Sequence, residues 1–339
     1  MNIILSIDYE IFGDGSGSMD ACMLKPLHSM LRIAEQYHAL LSIFAETLEI
    51  QALLDSEDDA EQAQAVCQQL QQACRDGHDI QLHLHPQWQG ADVNTSLKAD
   101  QWRIGDVSKS MMEQMISEGK HWLEDLLQPV RTDYQCIAFR AGGWCIQPSA
   151  PVIGSLQDNG IMLDSTVAPG ARNSARADWY DFRDAPANQP WWRVNNDVLQ
   201  PSSTGIYELP ITTGKISRLK HLGIILNNMY HDSLAPNCTG SYRIPGVKES
   251  ALISKLRKLS GLGHAMLDIS TMPADTLVNI TESWQRQHHG RDDVTIVAIG
   301  HTKNFSQRAA REFAQYLQWA KTQGHQFTTY QQWLQKHSH

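Results

Sequence analysis

The strongest constraint on the fold of this chain is a regular alternation. Short apolar runs of strand length are each followed by a stretch with helical spacing, and most end in polar residues. Ile3 to Ile7 is the first run, interrupted only by Ser6, and Asp8 and Glu10 follow it. Leu27, Met30, Leu31 and Ala34 then recur at helical spacing, with Pro26 tolerated in the first turn. Ala39 to Ala45 reads as a second strand. Ala63, Val66, Cys67, Leu70 and Cys74 mark one face of a helix that Gly77 closes. From Asp79 to His85, Ile80, Leu82 and Leu84 alternate with Gln81, His83 and His85, a period of two. Met112, Met115, Ile116, Gly119 and Trp122 predict a further helix, stopped by Pro129. Strands are expected at Cys136 to Phe139, Ile161 to Leu163, Ile206 to Leu209, Ala265 to Leu267 and Val294 to Ile299. A helical stretch runs through Leu156, and a last helix spans Ser306 to Gln323. Such alternation is the pattern of a closed parallel barrel or a doubly wound sheet. It lapses only at about 168–204, where Trp179, Tyr180, Trp191 and Trp192 lie among Pro, Asn, Arg and Asp. A loop that long is functional or hides short elements. The chain reads as one domain over residues 1–339 with a loop-rich insertion there.

Composition removes several classes of function. The 339 residues are 42% hydrophobic and 19% charged, with a formal net charge of −9 and no basic run, so nucleic acid is not expected as a partner. No apolar run approaches the roughly 20 residues a membrane helix needs. The opening MNIILSIDYEIFG lacks a basic n-region and does not read as a signal peptide. The six cysteines include no C-x-x-C pair. Cys67 and Cys74 lie seven apart on a predicted helix, roughly 10 Å along its axis, too far for a disulfide. Reduced thiols and a cytoplasmic protein are therefore the expectation.

The polar residues gather at the carboxyl ends of the predicted strands: Asp8 and Glu10, His83 and His85, Arg140, Asp164, Asp268 and His301. In a parallel barrel those ends share one rim, the rim that carries active sites. Residues i and i+2 of a strand face the same way, so His83 and His85 can reach one point. With a carboxylate they would form a three-ligand site with a position left for water, the catalytic pattern for zinc. Asp8 and Glu10 share the same spacing, so one can ligate while the other takes a proton from water. His301 stands where a general acid could protonate a leaving amine. Arg140 beside glycines reads as a buried cation in need of a carboxylate, and Asp8 is the candidate.

Taken in order, D-x-E, G-H-D-I-x-x-H, F-R-A-G-G-W, D-S-T-V and G-H-T-K resemble the motifs of polysaccharide deacetylases of the NodB-homology type, from Met1 to about Leu334. The resemblance implies an α/β fold, an irregular (β/α)7–8 barrel of the glycoside hydrolase and deacetylase type. It also implies a divalent metal, usually Zn2+, and a carbohydrate substrate. The reaction would remove an acetyl group from an amino sugar or a precursor of cell-surface polysaccharide. Carried over, Asp8 is similar to the catalytic base, Glu10 to the metal carboxylate and His83 to the first metal histidine. Arg140 matches the arginine that orients the base, Asp164 the acid that tunes the acid histidine, and His301 that histidine. The family's second metal histidine lies four residues after the first. Here that position is Gln87, and His85 is the candidate substitute. Trp88 and Trp144 are the candidate substrate-binding aromatics. Two alternatives remain open: a carbohydrate-binding member with altered or lost activity, and a metal-independent glycoside hydrolase using Asp8 or Glu10 with Asp164 or Asp268.

Overall fold

The computed structural model describes residues 1–91, 102–174, 179–234, 263–291 and 294–337. Its strands are β1 (Asn2–Tyr9), β2 (Leu41–Glu46), β3 (Asp79–Leu84), β4 (Ala138–Ala141), β5 (Leu163–Asp164), β6 (Arg172–Ser174), β7 (Trp179–Asp181), β8 (Trp192–Val194), β9 (Ile206–Glu208), β10 (Thr213–Lys215), β11 (His264–Met266), β12 (Thr295–His301) and β13 (Gln326–Thr328). The described α-helices are α1 (Lys25–Gln36), α2 (Thr47–Leu54), α3 (Ala60–Arg75), α4 (Lys109–Leu127), α5 (Ala150–Asp158), α6 (Arg218–Leu234), α7 (Ala274–Gln287), α8 (Gln307–Thr322) and α9 (Tyr330–His337).

The main sheet runs β12-β1-β2-β3-β4-β5-β9-β8. Every pairing is parallel except that of β8, which lies antiparallel on β9. One edge of β1 is shared: Asn2–Ile4 pair with β13, and Leu5–Tyr9 pair with β2. The sheet curls into an irregular α/β barrel, and the segments that follow β9 and β11 reach its β12 edge through single hydrogen bonds. Ile211 N donates to Val167 O (2.8 Å), Thr212 N to Val297 O (2.9 Å) and Ile299 N to Leu267 O (2.9 Å).

Strand parity separates two cores. Ile4, Phe44, Ala138, Leu163, Leu209 and Val297 pack inside the barrel, where Tyr330, Trp333 and Leu334 of α9 plug one end. Ile3, Leu5, Ile7, Ile43, Ala45, Leu82 and Phe139 pack outward against the helices. Burying each such side chain contributes about 1.5–3 kcal/mol, so this two-faced pattern fixes register strongly.

Two sequence expectations change, and the long stretch at 168–204 resolves into short elements. Ala265–Leu267 reads as a barrel strand, but β11 pairs antiparallel with β10 in a separate two-stranded sheet. The stretch 168–204 holds the β6–β7 hairpin and the edge strand β8. Its tryptophans mostly anchor it: Trp192 is buried with Nε1 donating to Val198 O (2.9 Å), and Trp191 packs edge-on to Tyr207 and Trp333. Finally, Cys67, Cys74 and Cys136 are free thiols, but Cys22 is disulfide-bonded, so the reading of uniformly reduced thiols does not hold. Cys238 lies outside the described residues. Among the described residues no helix is long and apolar enough to cross a membrane.

Candidate active site

The inward positions at the carboxyl ends of β1, β3, β4 and β12 converge. Asp8 and His301 are register partners across β1 and β12, and His83 and Arg140 are partners across β3 and β4. Arg140 is wholly buried and spends its donors on four residues. Nη1 donates to Asp8 Oδ1 (2.6 Å), Nη2 to Ser6 Oγ (2.9 Å), Ser165 Oγ (3.1 Å) and Tyr330 OH (3.3 Å), and Nε to Ser165 O (2.8 Å). Its guanidinium also lies 4.1 Å from the centre of the Phe44 ring. Burial raises the Asp8 carboxyl, but Arg140, His83 and His301 together outweigh it and hold Asp8 below its ordinary value. Asp8 is thus an ionised carboxylate fixed in orientation, with Oδ2 3.4 Å from His301 Nε2.

Beside it Glu10, His83 and His85 offer one ligand atom each within 4.8 Å of one another. Glu10 Oε2 lies 2.7 Å from His85 Nε2 and 3.7 Å from His83 Nε2. Apart from this mutual contact none of the three atoms has a hydrogen-bond partner, and all are buried. Three buried polar atoms with only one another for partners are costly unless something binds there. The tautomer of His83 suits a cation, because Nδ1 lies 2.9 Å from Arg140 O, to which it donates, leaving the Nε2 lone pair toward Glu10. The donor set of one carboxylate and two imidazoles fits a divalent ion such as zinc. Gln87 does not join it. Its Nε2 contacts His85 Nδ1 (3.1 Å) and Gly13 O (3.2 Å), so it stands behind His85. Gly142 gives His85 its space: a Cβ there would fall 2.5 Å from His85 Cδ2.

The site opens on a cavity of about 280 Å³ lined by Asp8, Glu10, His85, Trp102, Trp144, Asn173, Asp268, His301 and Lys303 among others. Trp144, at a left-handed φ of 59°, presents its ring edge-on to His301 (5.8 Å), and Tyr180 of the insertion backs it at 5.9 Å. Asp268 is occupied as a turn acceptor for Ser270 and Thr271.

Two anticipated residues are not brought to this site. Trp88 is 2% exposed and borders a different cavity with Met19, Leu53 and Asp59. Asp164 has outward parity, between the inward Leu163 and Ser165, and pairs with Glu208, its register partner on β9. His301 Nδ1 makes no hydrogen bond, so Asp164 does not buttress it. Burial raises both carboxyls, and the Asp164 charge raises Glu208 further. The folded state therefore keeps protons that the unfolded chain releases. That stability is full below the ordinary carboxylate range and is lost as pH rises through the raised values. Urea midpoints measured from about pH 5 to about pH 9 should fall with pH, and E208Q should flatten the decline. Parallel pH profiles in both proteins would refute this.

Residues missing from the sequence reading include Lys303, Glu46 and Trp102. Lys303 Nζ donates to Glu10 Oε1 at 2.6 Å, and Glu46 accepts from the His85 backbone N–H at 2.8 Å. Burial pushes the Glu46 carboxyl up to about 8. Glu46 shares the inward parity of Ser42 and Phe44, which is a legible signal. Trp102 carried none.

No protein-family model matches the chain, and no curated protein matches its sequence. Solved structures do share its fold. A 4-alpha-glucanotransferase from Thermococcus litoralis aligns with TM-score 0.53 at 11% identity over 99% of this chain; the chain spans only 40% of that protein. The Puue allantoinase aligns with TM-score 0.50 at 10% identity, covering all of this chain and 91% of the other. The catalytic domain of a peptidoglycan N-acetylglucosamine deacetylase from Eubacterium rectale gives TM-score 0.42 at 10% identity, covering 97% and 87%. Likeness to the first two defines an irregular α/β barrel and leaves the reaction to the site.

Proposed function

We propose that the chain is a metal-dependent deacetylase acting on an acetylated amino sugar or a related carbohydrate precursor. The observation that carries this is the convergence of three buried ligand atoms, Glu10 Oε2, His83 Nε2 and His85 Nε2, with no partner but one another, beside a carboxylate that an arginine keeps ionised. The order of motifs along the sequence supports the same reading. A divalent ion held by Glu10, His83 and His85 supplies a Lewis acid for the scissile carbonyl.

The protein's own groups do the rest. Asp8 accepts the proton of the attacking water, and Arg140 orients it and keeps it anionic. His301 lies 3.4 Å from Asp8 Oδ2 at the cavity wall and donates a proton to the departing nitrogen. Trp144 and Trp102 bound the space for a sugar ring. Asp164 takes no part. A glycosidase needs a second free carboxyl across the cavity, whereas Asp164 is paired with Glu208 and Asp268 is held by Ser270 and Thr271.

H83A and E10A should each abolish stoichiometric zinc binding, read by metal analysis after dialysis, because each removes one of three ligands. H85A should do the same. Q87A should keep the metal. Full zinc in H85A with loss in Q87A would reverse the ligand assignment. Acetate release from a panel of N-acetylated amino sugars, with and without zinc, tests the reaction itself.

A further inference from the structure

Both carboxylates of the site already possess a cation. Asp8 has Arg140 at 2.6 Å, and Glu10 has Lys303 at 2.6 Å, each pair nearly closed to solvent. Arg140 has a clear task, since Asp8 must stay ionised to accept a proton. Lys303 has no such task if Glu10 ligates an ion, because the ion itself would keep Glu10 charged. The lysine is also anchored. It follows His301 by two residues in the turn Thr302–Asn304, and Nζ donates to Ile11 O (3.2 Å) as well as to Glu10. The Phe12 ring centre lies 5.7 Å from Nζ.

We propose that Lys303 is a resident counter-cation that competes with the divalent ion for Glu10. Its hydrogen bond takes Oε1 and leaves only Oε2 for the point shared with His83 and His85. Its fixed charge sits within a few ångströms of that point and weakens ion binding, since affinity follows the net charge of the ligand set. The site then loads reversibly, according to the concentration of free divalent ion. The inference rests on the metal-site reading above.

The test is zinc affinity, measured by competition with a chromophoric chelator, for the wild type, K303Q, K303M and K303R. K303Q can still donate a hydrogen bond to Glu10 Oε1 but carries no charge. K303Q and K303M should bind zinc at least about tenfold more tightly, while K303R, which keeps the charge, should stay within about threefold of the wild type. Melting supplies a second readout. Without zinc, K303M should melt below the wild type because Glu10 is left unpaired, and zinc should raise its Tm by more. If folded K303Q binds zinc with unchanged or weaker affinity, Lys303 positions Glu10 rather than competing for it, and the proposal fails while the metal site stands. If no variant and not the wild type binds zinc, the metal reading itself fails.

Discussion

H301A should lower hydrolysis of an N-acetyl amino sugar by about 10²–10⁴-fold, the usual scale for one general acid, and lower that of an activated aryl acetate far less. An amine leaves a tetrahedral intermediate poorly unless protonated, whereas a phenoxide depends little on a proton. The geometry behind this is compact. His301 ends β12 at the register position of Asp8, lines the cavity and faces the edge of Trp144. Steady-state kinetics on the two substrates decide the matter. Equal losses on both would make His301 a binding or ligating group; no loss on either would remove it from the chemistry.

Replacing Arg140 should be the most damaging change to the fold. R140M strips five hydrogen bonds from a fully buried position and leaves Asp8 charged without its arginine. Breaking a buried ion pair from one side costs about 3–5 kcal/mol, mostly the penalty of the stranded charge. The double variant R140M/D8N should recover part of that loss, because a neutral amide tolerates burial better. Urea denaturation of both proteins and of D8N completes the cycle. Strict additivity would show that the pair is not coupled and that the cost lies in packing around Phe44 and Tyr330.

Much of this was legible because strand period and charge report different things, and both were clear at β1 and β3. The alternation from Asp79 to His85 put His83 and His85 on one face, and the spacing of Asp8 and Glu10 did the same. The need of a buried arginine for a carboxylate identified the Arg140–Asp8 pair. Asp164 was misjudged for a physical reason: sitting at the end of a strand says which rim a residue joins but not which face it takes. β5 is only two residues long and offers no period from which to read parity. Lys303 was obscured differently. Its distance from Glu10 along the chain is large, and the turn after β12 breaks the two-residue rhythm that would have placed it.

The close approach of Gly142 to His85 has a consequence for how sequences of this kind can vary. The imidazole occupies the volume that any side chain at 142 would need, so the two positions are not independent letters. A lineage that keeps the histidine is barred from alanine at 142 unless the β4 end moves. One that loses the histidine gains a freedom at 142 it did not have. Paired change at these two positions, rather than either residue alone, would mark relatives in which the ligand set has been reassigned.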